Sequence, residues 1–166
     1  MKSSVKSLLG HGLFASHLDA VLLRNAAVIV AFHRIQQADR SDSLSIDVET
    51  FERHCRFYQR HFHVVPLREL VYRLTQGQPI DRYLAITFDD GYRDNFEIAR
   101  PVLERLSLPA TFFVVTEWMG TDVVPWWDEV RGVRHPWMNW DEVRSLHERG
   151  FEVGAHTGSH VVLGKV

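Results

Sequence analysis

Along this chain, short apolar runs alternate with longer stretches in which apolar residues recur at helical spacing. Residues 28–32 form a continuous β-branched and apolar run, the pattern of a strand buried on both faces. Asp47 then precedes VETFERHCRFYQRHF, where Phe51, Cys55, Phe57, Tyr58 and Phe62 return at roughly helical spacing, predicting a helix with Asp47 as its cap. Residues 63–65 read as a short strand and LRELVYRL as a helix stopped by Gly77 and Pro79. YLAITF, residues 83–88, is the clearest strand, and it runs straight into Asp89, Asp90 and Gly91. NFEIARPVLERL is helical, with Pro101 forcing a break or restart, and residues 111–115 are another buried strand. Asn139 and Glu142 stand three apart ahead of VRSLHERG, like a capping box on a helix closed by Gly150, and residues 151–155 make the last strand. This alternation predicts an α/β protein of parallel strands joined by helical crossovers, either an open sheet or a β/α barrel.

Composition narrows the class. With 166 residues, 45% apolar and 24% charged, the chain is long enough for one cored domain and shows neither repeats nor low-complexity tracts. The net charge of -2, with signs interspersed, lacks the basic stripe that nucleic acid or anionic lipid would require. The single cysteine, Cys55, excludes an internal disulfide or a cysteine-rich zinc cluster and belongs in a helix core. Residues 20–32, AVLLRNAAVIVAF, are interrupted by Arg24 and Asn25 and lack a cleavage signal. They read as neither signal peptide nor membrane span, which favours the cytoplasm or a cytoplasmic membrane face.

Chemistry collects where strands end. In parallel α/β folds, sites form at the carboxyl ends of strands, and both Asp89-Asp90 and the pair His156, His160 follow such runs. The two histidines would share a face if residues 156–160 form a helical turn. Two imidazoles and one carboxylate around a cation leave positions open for water and substrate. The other aspartate then remains for proton transfer. Taken singly, Asp-Asp-Gly is a turn with a helix cap and H-x-x-x-H a surface pair; their conjunction at two strand ends points to a metal site.

LAITFDDGYRDNFEIARPVLERLSLPATFFV and GFEVGAHTGSHVVL resemble the first two motifs of the polysaccharide deacetylases, the NodB-homology carbohydrate esterases, over about residues 28–166. VAFHRI resembles an upstream Tyr-His-Arg-Val element of that family. The resemblance implies a distorted (β/α) barrel of the NodB-homology type and a divalent metal, most often zinc, held by Asp90, His156 and His160. It implies Asp89 as the general base that deprotonates the attacking water, acting on N-acetylhexosamine units of a polysaccharide or peptidoglycan. The family's later motifs, among them the histidine that serves as general acid, would fall beyond residue 166. The expectation is therefore an amino-terminal portion of the domain over 28–166, weakly active by itself, behind a helical extension over 1–27.

Other residues admit plainer readings. His33, ending the first strand, is either a hydrogen-bonded structural histidine or a lining residue of the substrate site. His54, His61, His63, His135 and His147 belong to surfaces or helix faces, and Thr87 and Thr157 to supporting roles. Trp126, Trp127, Trp137 and Trp140 crowd the segment between the two motifs, either pinning it to the core or, at Trp126, stacking on a sugar ring. Asp128 and Glu129 suggest a helix cap. The competing functions are an O-acetyl sugar esterase, a non-catalytic carbohydrate-binding descendant and, less suited to this alternation, an iron-dependent oxygenase.

Overall fold

The computed structural model describes Val21, residues 23–37 and residues 43–165. In chain order the elements are β1 (Ala27–Phe32), β2 (Arg34–Gln36), β3 (Ser45–Asp47), α1 (Val48–His61), β4 (His63–Val64), α2 (Leu67–Thr75) and β5 (Tyr83–Phe88). A π turn at Asn95–Ala99 leads into α3 (Arg100–Arg105), followed by β6 (Thr111–Val114), α4 (Trp126–Glu129), α5 (Trp140–Glu148), β7 (Glu152–Ala155) and a 3-10 turn at Leu163–Lys165. Most of the helical extension expected over 1–27 lies outside the described residues. Of its end, residues 23–25 form a turn and Ala27 already belongs to β1.

β5 is the axis of the sheet. It pairs in parallel with β1 from Tyr83 to Phe88, while its other edge is shared by β4 at Tyr83 and Leu84 and by β6 at Thr87 and Phe88. β7 extends the sheet beyond β6, also in parallel. Two partners dividing one edge depart from the single-neighbour ladder of a regular barrel. β2 and β3 form a separate parallel pair. Alternate residues of β5 serve two cores: Leu84, Ile86 and Phe88 face the larger one, and Ala85 meets Leu70 and Ile80 beneath α2. Phe88 stacks on Phe112 at 4.7 Å between ring centroids, and Phe32 and Phe51 meet it from the side of β1 and α1.

The strand expected to be buried on both faces is covered on one. Val28, Val30 and Phe32 pack on the core, but Ile29 is 56% exposed, because the opposite face of β1 is covered only near its start, where Ala27 joins the cluster under α2. The helix over Val48–His61 forms as read, with the Asp47 carboxylate accepting from Thr50 N–H and Phe51 and Cys55 buried. Burial pushes the Cys55 thiol up to about 12, so it is an inert core residue. Pro101 has the effect its chemistry demands. Without an N–H and with its ring against the preceding turn, it cannot extend an ordinary helix back to Asn95, and the turn before it widens, with Arg100 N–H bonding to Asn95 O. The capping box at Asn139 and Glu142 is complete in both directions. No helix among the described residues is long and apolar enough to cross a membrane.

Candidate metal centre and active site

Because the strands of the main sheet are parallel, the residues following β1, β5, β6 and β7 emerge at one end of the sheet. His33 follows β1, Asp89 and Asp90 follow β5, and His156 follows β7. The backbone there is tied strand to strand. Asp89 N–H donates to Phe32 O at 2.9 Å, Val115 N–H to Asp90 O at 3.2 Å, and His156 N–H to Val114 O at 2.8 Å. Asp90 itself takes a left-handed φ of 74°, followed by Gly91 at 88°. A Cβ at Gly91 would lie 2.8 Å from the Met119 methyl, so the third position of Asp-Asp-Gly tolerates nothing larger without a shift.

The turn bearing the histidines differs from expectation. Residues 156–160 do not make a helical turn: Thr157 and His160 have φ of 63° and 59°. Their neighbours hold them in that form, since Thr116 and Glu117 N–H donate to Thr157 and Gly158 carbonyls at 3.2 and 3.0 Å, and Val161 N–H donates to Thr157 Oγ1 at 3.2 Å. A Cβ on Gly158 would come within 2.7 Å of Glu117 Oε1. Two left-handed residues bring the imidazoles together as a helical turn would, with ring centroids 5.1 Å apart. Non-glycine residues rarely adopt this region, and among the described residues three of the six that do, Asp90, Thr157 and His160, lie at this site.

Among the described residues, Asp90, His156 and His160 form the one group of three or more such side chains whose ligand atoms all lie within 4.8 Å of one another. His160 Nε2 is 3.2 Å and His156 Nε2 3.4 Å from the same oxygen, Asp90 Oδ1. That oxygen is buried and accepts no hydrogen bond, although two nitrogens stand this close. Donor atoms each about 2.1 Å from a tetrahedral zinc ion lie about 3.4 Å from one another. The two separations from Asp90 Oδ1 therefore match those of donors around a shared cation, and the residue types suit zinc. Burial raises the Asp90 pKa; His33, His160 and His156, in that order, pull it back, and Asp89 raises it further. Asp89, half-buried, adjoins this cluster at the strand end and lies outside it.

A cavity of about 280 Å³ opens over this cluster, lined by His33, Asp90, His160, Trp126, Trp127 and Arg131. On the far side of His160 a second opening, about 290 Å³, is bounded by His156 and Leu163. His33 thus lines the same cavity as Asp90 and His160. Trp126 stands at the rim, 71% exposed, with Trp127 beneath it at 5.8 Å. The four expected tryptophans divide: Trp127 and Trp137 pin the segment, through Trp127 Nε1 to Tyr92 OH and Trp137 Nε1 to Val123 O, while Trp126 and Trp140 are exposed.

Sequence reasoning missed what lies behind this wall. Neither Asp128 nor Glu129 caps a helix: both lie within α4, whose N-cap is Pro125, and Asp128 is buried, accepting from Arg34 Nη1 at 2.7 Å. Arg34 follows His33 in the VAFHRI segment, but its partner is 94 residues away. Asp94 and Asn95 are also buried near Arg34. Burial raises Asp94 to about 7, and its Oδ1 and both amide atoms of Asn95 are buried without a hydrogen-bond partner. No signal in the sequence marked these residues apart from ordinary turn and helix positions.

With this geometry in view, the family model for polysaccharide deacetylases matches residues 76–166, more than half of the chain. The chain belongs to the polysaccharide deacetylase family. It is 26% identical over 137 residues to YxkH of Bacillus subtilis (strain 168), a protein named for this family, covering 81% of this chain and 43% of that one. It is 25% identical over 112 residues to the poly-beta-1,6-N-acetyl-D-glucosamine N-deacetylase of Staphylococcus aureus (strain MSSA476), covering 59% of this chain and 39% of that one. The chain thus spans about two-fifths of the length of these relatives. Among solved structures, IcaB from Ammonifex degensii superposes with a TM-score of 0.66 at 23% identity, over 80% of this chain and 53% of that one. The Streptococcus pyogenes deacetylase PplD, in complex with acetate, gives 0.66 at 18% identity, over 84% and 60%. The fold is accordingly the barrel-like α/β fold of the NodB-type deacetylases.

Proposed function

We propose that this chain carries the metal-binding and proton-transfer residues of a deacetylase that removes N-acetyl groups from N-acetylhexosamine units of a polysaccharide. The observation that carries the reading is the buried Asp90 Oδ1, which accepts no hydrogen bond and is faced by two imidazole nitrogens at 3.2 and 3.4 Å. Asp90, His156 and His160 would hold the ion, zinc by donor type. Such an ion supplies Lewis acidity toward the acetyl carbonyl and toward water. Asp89, beside the cluster and outside it, takes the proton as water adds to the carbonyl carbon. When the carbon–nitrogen bond breaks, acetate forms and the amine needs a proton. His33 lines the same cavity, and the family resemblance assigns delivery of that proton to a later motif rather than to this histidine. Trp126, exposed at the rim, offers a face on which a sugar ring can stack.

The name of the Staphylococcus aureus relative supports the substrate class. The test is incubation with a β-1,6-linked N-acetylglucosamine oligomer and, in parallel, an O-acetylated sugar. Acetate appearing together with a new primary amine is the expected result. Acetate from the O-acetylated sugar alone would make the protein an esterase, and the absence of turnover with zinc bound would make it a carbohydrate-binding descendant.

A further inference from the structure

We propose that Asp128 is a positioning residue for His160, acting through Tyr92 and Trp127; the proposal rests on the reading of His160 as a metal ligand. The Arg34 and Asp128 side chains are 0% and 1% exposed. One Asp128 oxygen accepts from Arg34 Nη1 at 2.7 Å, and the other from the Tyr92 hydroxyl at 3.4 Å. That hydroxyl accepts the Trp127 indole N–H at 3.1 Å. The Arg34 guanidinium also lies over the Tyr92 ring, 5.1 Å from its centroid. The chain of contacts ends on the imidazole: Trp127 packs against His160 at 4.9 Å, and Trp118 stacks on it at 5.6 Å and 13°.

Three features give this chain of contacts its purpose. α4, which carries Trp127 and Asp128, is a four-residue helix with Pro125 at its N-cap and no side-chain cap, so it has almost no stability of its own. Its position must come from tertiary contacts. A fully desolvated ion pair is a poor device for stability alone, since apolar residues of the same shape often do as well or better, but its directional bonds define geometry. His160, in turn, has a left-handed φ, its Nε2 stands 3.2 Å from Asp90 Oδ1, and the two indoles pack against its ring.

The readout is zinc affinity, measured on the protein by competition with a chromogenic chelator, alongside Tm. Tyr92→Phe keeps the ring and deletes the hydroxyl that joins Asp128 to Trp127; it is expected to weaken zinc binding about 10-fold, the size of effect seen when the partner of a ligating histidine is lost. Asp128→Asn and Trp127→Leu are expected to act in the same direction. The Tyr92→Phe, Asp128→Asn double variant is expected to bind no more weakly than the weaker single, because both cut one line of contacts. A merely structural Asp128 would lower Tm and leave the affinity of the folded variants unchanged, which overturns the proposal. Should Asp128→Asn fail to fold, Tyr92→Phe and Trp127→Leu decide alone. If His160→Ala binds zinc as the parent does, the ligand reading fails and the positioning role falls with it; if His160→Ala loses zinc while Tyr92→Phe and Trp127→Leu do not, the positioning role fails by itself.

Discussion

The two adjacent aspartates have the same side chain and different surroundings. Asp90 is 2% exposed, with its Oδ1 turned toward two imidazoles, while Asp89 is half-buried and outside that cluster. Substituting each in turn should therefore separate binding from turnover. Asp90→Ala should reduce zinc affinity by at least about 100-fold in a chelator competition, since the charged member of the proposed three-ligand set is removed. Asp89→Asn should retain zinc while lowering kcat by about 10²- to 10⁴-fold, the usual weight of a proton-transfer group. Trp126→Ala should raise KM for an oligosaccharide several-fold with little change in Tm, because the ring is exposed; an unchanged KM would remove it from the substrate site. Residue types and spacing sufficed to single out Asp89, Asp90, His156, His160, His33 and Trp126 as candidates. Nothing in the spacing distinguished Asp128 from a helix cap, because an aspartate near a helix start is ordinary.

Among the elements, those whose stability is local were the most legible. The Asp47 cap of α1 and the Asn139 box of α5 are short-range hydrogen-bond patterns that residue identity specifies. Asn139→Ala should cost about 1 kcal/mol, read as a fall in Tm of about 2–4 °C for a chain of this size. The turn at residues 156–160 departs from the helical form that its spacing predicts. Its backbone is tied by hydrogen bonds from Thr116 and Glu117, in the turn that follows β6, about forty residues earlier in the chain. β1 was likewise misread as buried on both faces, since hydrophobicity alone does not tell whether a helix covers each side of a strand.

At the scale of the whole molecule, burial of Asp94 makes stability depend on pH. Its pKa is raised from 3.8 to about 7, chiefly by desolvation and despite the nearby Arg34. The native state therefore holds a proton that the unfolded state has released between these values. Linkage then gives a contribution fully present below about pH 4 and lost as pH rises through about 7, with a slope of at most about 1.4 kcal/mol per pH unit. Asp94→Asn should flatten that part of the profile: in urea unfolding at several pH values, the difference between parent and variant should change steadily from pH 4 to 7. A constant difference would mean that Asp94 ionises equally in both states.

What the sequence determined by itself was the inventory: alternating strands and helices, caps, the break at Pro101 and two clusters with metal-ligand chemistry. These follow from interactions within a few residues, which residue type and spacing encode directly. Tertiary structure decided which residues meet. The parallel order of β1, β5, β6 and β7 carries His33, Asp90 and the two histidines to one end of the sheet, and it brings Arg34 onto Asp128 across 94 positions. Such meetings depend on how the strands stack and where their ends point. A one-dimensional pattern does not contain that information, because residues far apart in the chain influence one another only once the sheet has formed.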